Sequence, residues 1–177
     1  GGLLRNLEIK IFKLIILMQM TFPGVPIIYY GDEAGVRGGA DPDNRRTFPW
    51  GNEDKEIMAW YKKLAKARNE NGFFAIGFFK QICVNEDIYG IARYSENGKD
   101  VFGKNIEKSC KKFAFTFVNR NPVFPFEAEI DIQNYPEIFG DKKNISLKSF
   151  FDNKDIKAEN GKIKFTIEPL GCVMFTD

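Results

Sequence analysis

With 177 residues, 44% hydrophobic and 28% charged, the chain has apolar material for one domain core, or one plus part of another. Its 26 basic and 24 acidic residues leave a net charge of +2, spread without a basic block, which argues against nucleic acid or an acidic membrane as the main partner. There is no histidine, so a Ser-His-Asp or Cys-His site, imidazole-ligated zinc and a histidine base are all excluded, and carboxylates, arginines and aromatics remain for chemistry.

In chain order, Leu4, Leu7, Ile11, Leu14, Ile15 and Met18 recur at three- and four-residue spacing, which predicts a helix over Leu3–Met20. Lys10 and Lys13 interrupt the apolar run and no small-residue cleavage site follows, so the segment reads as a helix and not as a leader. No stretch is long and apolar enough for a membrane span. Thr21-Phe-Pro-Gly24 ends the helix, and Val25–Tyr30, apolar without alternation, predicts a strand covered on both faces. Gly31–Trp50 is a long loop dense in Gly, Asp, Asn and Pro. A second helix follows over Ile57–Arg68, with Asn52 as the expected N-cap and Asn71-Gly72 as its stop.

From Phe73 the texture changes to short β-type runs: Phe78–Val84, Ile88–Tyr94, Phe113–Asn119, Phe126–Ile132, Ile145–Phe151, Lys162–Ile167 and Cys172–Phe175. Turn residues separate them, which predicts an antiparallel β-sandwich. A helix–strand–helix unit cannot satisfy a doubly covered strand alone, so residues 1–72 read as the end of a larger α/β domain and residues 73–177 as an all-β domain. Cys83, Cys110 and Cys172 are too scattered for a disulfide framework, and two of them sit in apolar runs as small buried thiols. The missing framework leans towards a cytoplasmic setting.

The densest polar cluster is Gly38-Gly-Ala-Asp41-Pro-Asp-Asn-Arg45-Arg46. Asp41 and Arg45, four apart around a turn, combine an acceptor carboxylate with a planar donor fork, the combination that vicinal sugar hydroxyls want. The plainer alternative is that the two pair with each other and hold the loop. Tyr29, Tyr30, Phe48 and Trp50 add aromatic faces suited to a sugar ring. Asp41 and Asp43 lack the spacing and bidentate Glu of a calcium loop, so no metal is expected.

Phe22-Pro-Gly-Val-Pro-Ile-Ile-Tyr-Tyr-Gly-Asp-Glu33, followed by Gly38–Arg46 and Phe48-Pro-Trp50, resembles the C-terminal part of the α-amylase superfamily of glycoside hydrolases, of the neopullulanase, cyclomaltodextrinase and maltogenic amylase type. The resemblance implies the last helix–strand–helix of a (β/α)8 TIM barrel in residues 1–72, Val25–Tyr30 being the eighth strand, and an antiparallel β-sandwich in residues 73–177. It also implies that Asp41 and Arg45 bind glucose in an enzyme acting with retention on starch-derived maltodextrins, cyclodextrins or pullulan. The family's catalytic carboxylates and histidines lie on earlier barrel strands, so no catalytic residue is expected here and the segment alone should be inactive. No cofactor is implied. The expected partners are an α-glucan oligosaccharide in the intact enzyme and the N-terminal barrel portion, with self-association of the segment where that portion is lacking. The competing reading is a non-catalytic carbohydrate-binding β-sandwich module, which the absence of tryptophan after residue 72 disfavours.

Overall fold

The computed structural model describes residues 2–106 and 111–177, with side chains from Leu4 onward; Cys110 lies outside the described residues. Helix α1 spans Gly2–Thr21 and α2 spans Lys55–Glu70. A one-turn helix, α3 (Phe73–Ile76), leads into β1 (Phe78–Val84), β2 (Ile88–Tyr94), β3 (Phe113–Asn119) and β4 (Phe126–Asp131). A second one-turn helix, α4 (Pro136–Phe139), precedes β5 (Ser146–Ser149), β6 (Asp155–Lys157), β7 (Lys162–Ile167) and β8 (Cys172–Thr176).

All pairings are antiparallel. Six strands form one sheet in the order β1-β2-β3-β8-β5-β6, and β4 pairs with β7 in a second, two-stranded sheet. Alternation along the strands sends side chains to opposite faces. Phe113, Phe115 and Phe117 of β3 join Ile88, Ala92, Phe175, Ile130, Ile163 and Ile167 in a core between the sheets. Their neighbours Ala114 and Val118, with Met174, join Leu14, Leu17, Ile57, Leu64 and Phe73 in a second core on the other face. The large sheet is therefore covered on both sides, which is why every residue of β3 is buried. The sandwich expectation holds for this antiparallel part; in addition, the two long helices pack directly on its outer face.

Two buried arginines tie the helical layer together. Arg68 of α2 donates to the carbonyls of Met20 (2.7 Å), Phe22 (3.1 Å) and Gly24, closing the chain after α1. Arg93 of β2 is 0% exposed and donates to Phe73 and Gly77 at 2.9 and 3.0 Å, holding the α3 turn against the sheet. Burial pushes the guanidinium of Arg93 down to about 10, with the nearby Arg68 adding to the effect.

Three expectations are corrected. Val25–Tyr30 forms no strand: Val25 is 88% and Ile27 81% exposed, and among the described residues nothing offers the run a ladder. Apolar composition suits a strand, but a strand exists only where a neighbour accepts its backbone bonds. The N-cap of α2 is Asp54 and not Asn52; its carboxylate accepts from the amides of Glu56 and Ile57. Cys83 and Cys172 are free thiols and only half-buried by exposure, although burial still pushes the Cys172 thiol up to about 12.

Candidate functional site

The loop between Gly31 and Asp54 is pinned at both ends. The amide of Asp54 donates to the carbonyl of Ala34 (2.9 Å), bringing the start and finish of the loop together. Gly35 has φ +72°, and a Cβ there would lie 2.7 Å from Cβ of Asp54, so only glycine lets the two segments meet. Asp54 also accepts from Arg5 of α1 at 3.1 Å, and Arg37 pairs with Glu8 of α1 at 2.7 Å. Burial raises the Asp54 carboxyl, but the amides of Ile57 and Glu56 and the Arg5 guanidinium outweigh it and hold the group below its usual value.

At the far end of the loop, a 3₁₀ turn over Asp43–Arg45 produces two interleaved ion pairs. Arg45 donates to Asp41 at 2.6 Å, and Arg46 forks onto both oxygens of Asp43 at 2.7 and 2.9 Å. The fork holds the Asp43 carboxyl below the usual carboxylate range. The structure thus brings the sequence-predicted pair, Asp41 and Arg45, together, and leaves their side chains 67% and 63% exposed. A carboxylate with an open oxygen beside a guanidinium with unused N–H groups presents acceptors and donors to one ligand.

Aromatic pairs accompany this cluster. Tyr29 and Tyr30 lie with ring centroids 4.8 Å apart, and Phe48 and Trp50 at 4.6 Å. Desolvation and then Tyr29 push the Tyr30 phenol up, while the Arg45 guanidinium opposes them. Two adjoining clefts of about 360 and 550 Å³ run from α1 across the loop and share Gly35, Val36, Arg37 and Asp54. Arg46 lines the larger one; Asp41 and Arg45 line neither. Asp32, which lines the smaller cleft, is raised by burial and then by Glu33, and the Tyr61 phenol is pushed up to about 12 by burial and then by both carboxylates.

Sequence reasoning missed Arg37 and the Arg46–Asp43 fork. Arg37 gave no signal, since its partner Glu8 is 29 residues away on another element; Asp43 and Arg46 stood in the motif at a helical spacing that only the 3₁₀ turn makes meaningful. Among the described residues, no group of three or more His, Cys, Asp or Glu is placed to hold a metal ion.

No protein-family model matches the chain. It is 35% identical over 174 residues to an amylopullulanase of Thermoanaerobacter thermohydrosulfuricus, a match that covers 98% of this chain and 11% of the relative. It is 40% identical over 105 residues to a cyclomaltodextrinase of Thermoanaerobacter pseudethanolicus, covering 58% of this chain and 17% of that one. The chain therefore spans between a tenth and a fifth of the length of these relatives. Among solved structures, an α-amylase from Geobacillus thermoleovorans complexed with acarbose superposes with a TM-score of 0.69 at 21% identity, over 93% of this chain and 32% of that one, a likeness of fold.

Proposed function

As a relative of the α-amylase superfamily of glycoside hydrolases, this chain is, we propose, the C-terminal part of a retaining α-glucan hydrolase. Residues 1–72 would close its (β/α)8 barrel and residues 73–177 would form the β-sandwich behind it. The observation that carries this reading is the apolar surface left uncovered by Val25–Tyr30, together with the exposed row Leu4, Leu7, Ile11 and Ile15 on α1. Exposed apolar side chains in this number need a cover. Barrel strands supplied by the rest of a longer enzyme would pair Val25–Tyr30 and bury the row. Where they are lacking, the same face would drive self-association, which sedimentation velocity would detect as a concentration-dependent shift.

In this reading Asp41 and Arg45 bind a glucose unit away from the cleaved bond. The segment adds no acid or nucleophile: retention needs two carboxyl groups about 5–5.5 Å apart across the scissile bond, whereas Asp41 and Asp43 are engaged by Arg45 and Arg46. The segment alone should therefore release no reducing sugar from maltodextrins, pullulan or cyclodextrin, and turnover by an amylase-free preparation would overturn this. In the intact enzyme, Asp41→Ala or Arg45→Ala should lower kcat/KM for long maltodextrins about ten- to hundredfold, as loss of hydrogen bonds to a charged group predicts. A minimal substrate that leaves the outer subsite empty should be affected far less. Equal loss at every chain length would mean that the pair only shapes the loop.

A further inference from the structure

Trp50 is 81% exposed, far from what is usual for the largest apolar side chain, yet its backbone is fixed. Its amide donates to the Phe48 carbonyl at 3.0 Å, and the Asn52 amide donates to Pro49 at 2.8 Å. The Gly51 amide donates to a Glu53 carboxylate oxygen at 3.0 Å. Phe48, itself half-buried, sits against the indole at 4.6 Å with the rings inclined by 49°, so it props one side and leaves the other open to solvent. A large flat ring held in place and presented to water spends little entropy on meeting a ligand.

We propose that Trp50, backed by Phe48, is a stacking platform for a glucosyl ring of an α-glucan, extending the site that begins at Asp41 and Arg45. The inference rests on the glucan-binding reading of the loop. A pyranose has an apolar C–H face that matches an aromatic surface, while its hydroxyl rim wants the charged donors and acceptors that Asp41 and Arg45 offer. Trp50 follows Arg45 by five residues, a span of at most roughly 18 Å of extended chain, so one oligosaccharide of a few sugars can meet both. The ligand class is thus a linear or cyclic glucan several units long and not a monosaccharide.

The chain has two tryptophans, and they report separately. Trp60 is stacked on Phe151 at 4.8 Å and bonded through its indole N–H to the Lys13 carbonyl, away from the loop. Titrating the chain with maltoheptaose should change tryptophan emission, and Trp50→Ala, which leaves Trp60 alone, should abolish that change. By calorimetry or ligand-observed NMR, Trp50→Ala should weaken binding about three- to tenfold, with Trp50→Phe close to wild type and circular dichroism unchanged in both. Arg45→Ala should weaken binding yet keep the emission change at saturation. Wild-type affinity in Trp50→Ala would overturn the platform while leaving the glucan reading in place. If Arg45→Ala keeps full affinity while Trp50→Ala loses it, the platform stands and the role of the charged pair falls. Absence of any maltoheptaose binding by the wild-type chain would overturn the platform as a site that this chain carries by itself, and absence in the intact enzyme as well would overturn the glucan-binding reading of the loop.

Discussion

Arg68 offers the sharpest test of how the helical layer is held. Its side chain is 8% exposed and its guanidinium bonds three carbonyls, those of Met20, Phe22 and Gly24. Hydrogen bonds to a charged group contribute about 1.5–3 kcal/mol each, but the three do not simply add. Phe22 and Gly24 are exposed residues whose carbonyls can take water instead, while Met20 is buried and its carbonyl cannot. Removing the guanidinium also relieves the cost of burying a cation, a cost visible in the lowered pKa of Arg68. The net expectation for Arg68→Ala is a loss of about 2–4 kcal/mol, or roughly 4–16 °C in Tm for a chain of this size. Arg68→Met keeps the apolar stem over its neighbours and isolates the donors, so it should recover only part of the loss. Thermal unfolding of the three proteins gives the magnitude, and amide exchange should show faster opening concentrated after α1, around Phe22–Tyr30. A Tm within about 1 °C of wild type for Arg68→Ala would mean that water satisfies all three carbonyls and that the arginine holds nothing.

Gly90 lies opposite Phe117 in the β2–β3 ladder, and a Cβ there would come within 2.4 Å of the ring, so Gly90→Ala should cost about 1–3 kcal/mol by urea unfolding and Gly90→Ala/Phe117→Leu should regain part of it. The carboxyl of Asp152 is brought down to about 2 by hydrogen bonds from Ser149 and then Lys154, below its ordinary value of 3.8. Its contribution to stability is thus complete above pH 3.8 and fades as pH falls through 2, and an NMR titration should place its midpoint near 2, rising towards the ordinary value in Ser149→Ala. A midpoint unchanged by that substitution would remove the hydroxyl as the cause.

How far the fold could be read from the sequence depended on how local each element's cause was. The strands Phe78–Val84, Ile88–Tyr94, Phe113–Asn119 and Lys162–Ile167 are legible to the residue because turn chemistry brackets them. Between the first two, the Asn85 side chain accepts from the amides of Asp87 and Ile88, a bond its own sequence neighbours provide. β6, three residues long, is too short to show an alternation. The four residues of α3 give no helical periodicity in the sequence, and their turn is held instead by Arg93, which donates to the carbonyls of Phe73 and Gly77 from a strand distant in sequence. Asn52 and Asp54 are equally good caps by type; Asp54 wins because Ala34 and Arg5, distant in sequence, hold it in place. At the candidate site the ion pair of Asp41 and Arg45, which the sequence offered as the plainer alternative to sugar binding, was legible because a four-residue turn is a local matter. The clefts beside them were illegible because they are made by α1 crossing the loop.

That crossing joins the fold to the site. α1 is fixed by its buried stripe, Leu14 and Leu17 packing over Ala114, Val118 and Met174 of the sheet. Its N-terminal half holds the loop through Arg5–Asp54 and Glu8–Arg37, and beyond its C-terminal end Arg68 fixes the chain that runs on to Tyr29 and Tyr30. The two surface ion pairs are individually worth little, so the position of the loop depends on the helix between them and hence on the sheet beneath it. A substitution on the helix-facing side of β3, such as Val118→Ala, therefore reaches Asp41, Arg45 and Trp50 through α1. A substitution on the opposite face, such as Phe115→Leu, loosens the core between the sheets first. If glucan binding falls more for the first than for the second at matched loss of Tm, the sheet acts as the support of the binding loop; if the two fall alike, the loop senses only global stability.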